Sequence, residues 1–318
     1  MTDPAAVPRP SAARPLFILA MDQRDSFQRT LFDVSGTPSA EQLARMREAK
    51  SLIFTAASRL AGTQPAGSRL GVLVDEQLGA DVARQARPAG FELAMPVEVS
   101  GSGRLAFEYG DDFGQHIEAF DPDWVKVLVR FNPADPGELQ HAQTRTLRQL
   151  HDWVTAHQRR WLLELLVPPT REQLTAHEDQ ALYDEEARPG LTAQVIAGLA
   201  AAGVRPDIWK LEGYETTAGA RLVLDTVRSA SPGSECIVLG RNAPRRQLDH
   251  WLDIAAPLPG FVGFAIGRSI WNEPLADFLG GRQDRAGTQD QIAERYGHFI
   301  ARYAAASSAS SASSADRQ

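Results

Sequence analysis

Short runs of consecutive apolar residues, each cut off by a polar cluster, recur along the chain. Leu16–Met21 runs into Asp22-Gln23-Arg24-Asp25-Ser26, and Leu70–Val74 into Asp75-Glu76. Phe91–Met95 is followed by Pro96-Val97-Glu98. Trp124–Val129, interrupted by Lys126, gives way to Arg130-Phe131-Asn132-Pro133. Trp161–Val167, interrupted by Glu164, stops at Pro168-Pro169-Thr170, and the stretch 207–211, interrupted by Lys210, stops at Glu212-Gly213. Glu235–Leu239 leads to Gly240-Arg241-Asn242, and Phe261–Ile266 to Gly267-Arg268-Ser269. Runs that are apolar without alternation indicate strands of a parallel sheet covered on both faces.

Between these runs the apolar spacing becomes helical. Leu43, Met46, Ala49, Ile53, Ala56, Ala57 and Leu60 follow the start signal Thr37-Pro38-Ser39 and precede Gly62, a usual C-terminal glycine. The same reading predicts helices near 78–87, 111–119, 136–158, 190–202, 215–230, 244–254 and 286–304. It also predicts a Gly-rich hairpin over 101–110 and a polar insertion over 171–187. Eight strands, each followed by a helical segment, predict a (β/α)₈ TIM barrel over residues 15–304. A doubly wound open sheet is the competitor, but no GxGxxG follows the first strand. Residues 1–14, rich in Pro and Ala, and 305–318, almost all Ala and Ser, read as disordered tails.

Composition narrows the function. The net charge of −7 argues against a nucleic-acid partner, which needs a basic face. No apolar run approaches the roughly 20 residues of a membrane span, and the first residues lack the apolar core of a secretory signal. One cysteine, Cys236, allows no intramolecular disulfide and suits a reducing cytoplasm. Set in the run Cys236–Leu239, it reads as a buried structural thiol. The oligomeric state stays open, a homo-oligomer included.

In such barrels the chemistry sits at the C-terminal ends of the strands. Asp22, Arg24, Asp75, Glu76, Glu98, Lys126, Arg130, Glu164, Lys210, Glu212, Arg241 and Arg268 all fall there. Alternation along a strand must turn some of them outward. Lys126, Glu164 and Lys210 are the sharpest, since each breaks an apolar strand. A lone ionic residue there is equally explained by a salt bridge or by a lysine whose head reaches water. Three in consecutive strands point to one cavity.

Two lysines beside a carboxylate suit Schiff-base chemistry. A neighbouring ammonium favours the neutral amine of a nucleophilic lysine, and a carboxylate moves the protons. Lys210 is the expected nucleophile, Lys126 its electrostatic partner and Glu164 the acid/base, a role Asp22 could share. Gly240-Arg241 and Gly267-Arg268 follow strands seven and eight, the frequent phosphate site of this fold. A turn with a surface arginine is the plainer account of either alone. The histidines lack metal-ligand spacing, and a Mg²⁺ held by Asp22, Asp75 and Glu98 would compete with the lysines for the same carboxylates. Neither a cofactor nor a metal is expected.

The phrases Ala20-Met21-Asp22-Gln23-Arg24, Val125-Lys126-Val127-Leu128, Leu163-Glu164-Leu165, Trp209-Lys210-Leu211-Glu212 and Gly263–Arg268 resemble class I barrel aldolases of the tagatose-bisphosphate type. Glu164–Thr170, Asp207–Gly213 and Val238–Ala243 are similar to the aldolase-like domain fused to 5-dehydro-2-deoxygluconokinase in myo-inositol catabolism. The resemblance covers about residues 15–300. It implies a Schiff base on Lys210, with Asp22, Lys126 and Glu164 around it, and phosphate binding after strands seven and eight. The implied reaction cleaves 2-deoxy-5-keto-gluconate 6-phosphate to dihydroxyacetone phosphate and malonate semialdehyde, with Arg24 or Arg130 holding the substrate carboxylate. Tagatose-type enzymes carry a serine-bearing loop where this chain has Gly240-Arg241-Asn242, which points to a different substrate. With only a short tail before the first strand, a separate kinase would supply that substrate. The alternatives are an aldolase for another ketose phosphate (tagatose bisphosphate or a sulfosugar phosphate), a non-catalytic sugar-phosphate-binding barrel, and a metal-dependent barrel lyase or isomerase.

Overall fold

In a computed structural model the described residues are 14–315, side chains of 310–315 excepted. The predicted tail at 1–14 therefore lies outside them apart from Arg14, as do residues 316–318. Strands β1 (Leu16–Met21), β2 (Arg69–Val74), β3 (Phe91–Pro96), β4 (Trp124–Arg130), β5 (Trp161–Leu166), β6 (Ile208–Glu212), β7 (Glu235–Leu239) and β8 (Phe261–Ile266) pair in parallel in chain order. Pairing of β8 with β1 closes the barrel.

Helices α1 (Asp25–Phe32), α2 (Ala40–Ser58), α3 (Glu76–Ala86), α4 (Phe113–Phe120) and α5 (Gly137–Ala156) surround its first half. After β5 come α6 (Arg171–Ala176), the single turn α7 (Gln180–Leu182), a π-helical turn over Tyr183–Ala187 and α8 (Arg188–Ala201). The rest are α9 (Thr217–Ala230), α10 (Arg245–Ala255), α11 (Arg268–Leu279) and α12 (Arg285–Ala315).

Alternation along the strands sorts the core into two layers. Leu16, Ile18 and Ala20, with Trp124, Leu162, Ile208, Ile237 and Ala265, fill the barrel interior. Phe17, Leu19 and Met21 belong to the larger layer under the helices. Cys236 is buried there as a free thiol, and burial pushes its pKa up.

The seam between β8 and β1 has its own fastening. Tyr296 and Tyr303 of α12 donate their hydroxyls to the carbonyls of Phe17 and Phe261, each at 2.7 Å, and Trp271 of α11 donates to the Ala20 carbonyl at 2.9 Å. The β7 register advances from Cys236 to Val238 while β8 advances from Phe261 to Phe264, and Gly263 lies inside this bulge at φ +138°. A Cβ on Gly263 would sit 1.9 Å from the Leu16 carbonyl oxygen. Gly263→Ala is therefore expected to lose roughly 3 kcal/mol or more, read as a lower urea midpoint, because both the backbone angle and the close approach demand glycine.

Several elements depart from the sequence expectation. The supposed charged loop after β1 becomes helix from Asp25, and the polar insertion contains α6, α7 and the π turn. α11 was not foreseen. Its internal Pro274 masks the helical spacing of the buried Ile270, Trp271 and Leu275. α12 continues to Ala315, into the Ala/Ser stretch, in keeping with the high helix propensity of alanine. The 101–110 hairpin is reduced to one antiparallel bridge, Glu98 to Phe107.

Candidate active site

The same alternation that sends Trp124, Leu162 and Ile208 into the barrel sends Lys126, Glu164 and Lys210 inward one layer higher. Asp22 continues the inward set of β1, and Glu98 that of β3. All five are buried, Lys126 to 1% and Lys210 to 3% exposure, so neither lysine is one whose head reaches water. The Lys126 ammonium donates to Asp22 Oδ2 at 2.8 Å and Glu98 Oε1 at 2.5 Å, and meets Glu164 Oε2 at 3.0 Å. Lys210 Nζ reaches that same Glu164 oxygen at 3.0 Å, its one ion pair among the described residues.

Two cations against three carboxylates make a site whose charges are set by one another. Burial alone would raise the Asp22 carboxyl, but the Lys126 and Lys210 ammoniums outweigh it and hold Asp22 far below the usual range. Glu164 behaves alike, lowered against its burial by Lys126 and then Lys210. Glu98 goes the other way: burial pushes it up, Lys126 opposes, and the Asp22 charge adds to the rise. For Lys126, burial opposes the charge, yet Asp22, Glu164 and Glu98 together lift its pKa well above the ordinary lysine value. Lys126 is a fixed cation.

Above these groups opens a cavity of about 410 Å³, lined by every residue given a catalytic or substrate-binding role from the sequence, while Asp75, Glu76 and Glu212 lie outside its lining. Gly240 and Gly267 form its far wall, where a Cβ on Gly267 would stand 2.3 Å from the Ala20 carbonyl oxygen. Arg241 and Asn242 turn through left-handed backbone, at φ 45° and 58°, and Gly267 caps α11.

The arginines divide into two kinds. Arg24 is buried, with Nη2 on the Glu98 carbonyl at 2.7 Å and Nη1 on Glu108 at 3.1 Å. Arg241 is bound to Asp184 by both terminal nitrogens and to Glu212 at 3.0 Å. Both line the cavity, and both guanidiniums also pair with carboxylates of the protein. Arg130 and Arg268 are exposed at the rim and form no ion pair among the described residues.

Sequence reasoning gave Glu98 no role beyond a metal alternative, although the parity from Ala94 through Pro96 already aims it inward. Asp184 carried no signal, because it joins Arg241 and Arg188 from a π turn inside a polar insertion. Asp75, the other acid of the metal alternative, does not line the cavity. It caps α3 through the Leu78 amide at 2.8 Å and pairs with buried Lys50. The centre of the remaining carboxylates is held by the Lys126 ammonium.

The family model described as "Uncharacterized protein conserved in bacteria (DUF2090)" matches residues 5–307. No curated protein matches the chain. Among solved structures, a Corynebacterium glutamicum protein aligns at a TM-score of 0.54 and 16% identity, covering 89% of this chain and 85% of that one. A Schiff-base-forming fructose-1,6-bisphosphate aldolase aligns at 0.51 and 11%, covering 89% and 95%. An archaeal fructose 1,6-bisphosphate aldolase aligns at 0.51 and 13%, covering 90% and 95%. At such identities the likeness is one of fold.

Proposed function

The chain belongs to the DUF2090 family, and for it we propose the activity of a class I aldolase that cleaves a phosphorylated keto sugar acid through a Schiff base on Lys210. The observation that carries this reading is the pair of buried lysines joined through one oxygen of Glu164. Schiff-base chemistry needs one lysine as a free amine and a fixed cation beside it. The three-carboxylate cage supports Lys126 as the cation, and the single carboxylate contact of Lys210 supports it as the nucleophile.

In the proposed cycle the Lys210 amine adds to the substrate ketone. Glu164, within reach of the same nitrogen, takes the proton that Lys210 gives up to become a free amine and delivers it to the carbinolamine hydroxyl, which leaves as water. The adjacent C–C bond then breaks toward the iminium nitrogen, leaving an enamine. After the aldehyde departs, the enamine carbon is protonated, and water releases the ketone product and the free lysine. Arg268, Gly267 and Gly240 would hold the phosphate at the start of α11, and Arg130 the substrate carboxylate. The substrate we favour is 2-deoxy-5-keto-gluconate 6-phosphate, giving dihydroxyacetone phosphate and malonate semialdehyde. Three similarities in sequence support it, Glu164–Thr170, Asp207–Gly213 and Val238–Ala243.

The direct test is borohydride reduction in the presence of dihydroxyacetone phosphate, followed by peptide mapping. The expected result is a stable adduct on the peptide containing Lys210. A wild-type protein that binds the ketone phosphate yet yields no adduct overturns the reading.

A further inference from the structure

We propose that Glu98 is a catalytic residue of this site, one whose Oε2 takes the proton from the hydroxyl on the carbon that leaves as aldehyde and returns it to the enamine carbon. The inference rests on the aldolase reading of Lys210 and adds the group that works on the far side of the breaking bond.

Glu98 lines the cavity shared with Lys210 and Glu164. Its Oε1 is fixed on Lys126, while Oε2 is buried with no hydrogen-bond partner. A carboxylate oxygen left dry and unpaired destabilises the fold, and such atoms in folded proteins call for an explanation. A substrate hydroxyl would supply the missing donor. The side chain is also held in place from the backbone. Arg24 grips the Glu98 carbonyl, Val97 N donates to the Lys126 carbonyl at 3.0 Å, and Glu108 N donates to the Val97 carbonyl at 2.8 Å.

The neighbouring carboxylates are less suited to this task. Oε2 of Glu164 is already shared by both lysines, and Asp22 is held so firmly ionised that it is a weak base. Burial shifts Glu98 in the direction that strengthens a base and keeps its conjugate acid available for return.

The step balances within the site. As the C–C bond breaks, its electron pair becomes the enamine double bond and the iminium nitrogen is neutralised. The hydroxyl oxygen becomes the aldehyde carbonyl, and its proton passes to Glu98. The protonated Glu98 then gives that proton to the enamine carbon, regenerating the iminium and the carboxylate.

Glu98→Gln separates this from the aldolase reading itself. With dihydroxyacetone phosphate, borohydride trapping on Lys210 is expected to remain at the wild-type level. Exchange of the hydroxymethyl hydrogens with D₂O, followed by NMR, is expected to slow by about 10²-fold or more. Exchange within about threefold of wild type overturns the assignment, and so does loss of trapping in a folded variant, since Glu98 would then serve Schiff-base formation. Glu98→Asp keeps the charge around Lys126 but withdraws the carboxyl by one methylene. It is expected to exchange at least about tenfold more slowly than wild type. An unchanged rate there overturns the assignment even if the glutamine variant does not fold. Absence of trapping in the wild type strikes the aldolase reading instead.

Discussion

Replacing Lys210 with alanine is expected to remove turnover, by at least about 10⁴-fold, while the protein stays folded. The physical basis is an asymmetry between the two lysines. Lys210 contacts one carboxylate, and that carboxylate keeps Lys126 at 3.0 Å when Lys210 is gone. No buried charge is orphaned, and the space vacated opens onto the cavity, where water can enter. A thermal melt within a few degrees of wild type together with loss of cleavage, measured by coupled assay of the ketone phosphate product, is the expected pair of results. Cleavage near the wild-type rate would refute the nucleophile role. A large drop in melting temperature would return Lys210 to the status of a structural ion pair.

Lys126→Met should show the reverse balance, with stability as the main casualty. The substitution conserves length but leaves Asp22 and Glu98 buried without the ammonium they share, and Glu164 with Lys210 alone. Removing one partner of a buried pair typically costs about 3–5 kcal/mol, and here Asp22 and Glu98 lose theirs at once. The pH dependence has a definite sign. In the wild type, Asp22 and Glu164 have folded pKa values below their reference values of 3.8 and 4.5. Their stabilisation is present above those values and is lost as pH falls through the folded ones. Glu98, raised above its reference of 4.5, runs oppositely: its contribution is complete below that value and fades as pH rises through the folded one. Without Lys126, Asp22 is expected to move toward the pattern of Glu98, while Glu164 keeps the Lys210 ammonium at 3.0 Å. The deficit of Lys126→Met relative to wild type should therefore be largest near neutrality and shrink below about pH 4–5, measured by denaturant unfolding across that range. A pH-independent deficit would mean that packing, not charge, is what Lys126 provides.

The barrel was legible because its strands are apolar on both faces, so each run stands out whatever the helices do. The inward direction of Lys126, Glu164 and Lys210 was legible for a related reason: a charge inside an apolar strand must either enter the barrel mouth or break the layer under the helices. Asp22 follows by parity from Leu16, Ile18 and Ala20. What could not be read were contacts fixed by segments with no periodicity. Arg241 looks like an anion ligand until Asp184 arrives from the π turn at Tyr183–Ala187 and, with Glu212, occupies its guanidinium. Arg24 is similarly spoken for by Glu108, which the short pairing around Glu98 and Phe107 brings over the first strand. The Ala/Ser repeat after residue 304 satisfies both a disordered and a helical composition, and periodicity cannot choose between them.

The fastening of β1 to β8 also sets an order of events during synthesis. The carbonyls of Phe17 and Ala20 wait for Tyr296 and Trp271, partners 279 and 251 residues further along. At translation speeds of 5–20 residues per second, that is roughly ten to sixty seconds in which the first strand has emerged but its last neighbour has not been made. Asp22 and Arg24 leave the ribosome early, and Gly267 and Arg268, on the opposite wall of the cavity, leave late. The cavity is therefore complete only once β8, α11 and α12 have been made, and a nascent chain exposes an open sheet edge until then. Chaperone demand should accordingly track substitutions in β8, α11 and α12 that delay closure more closely than any substitution at Lys210.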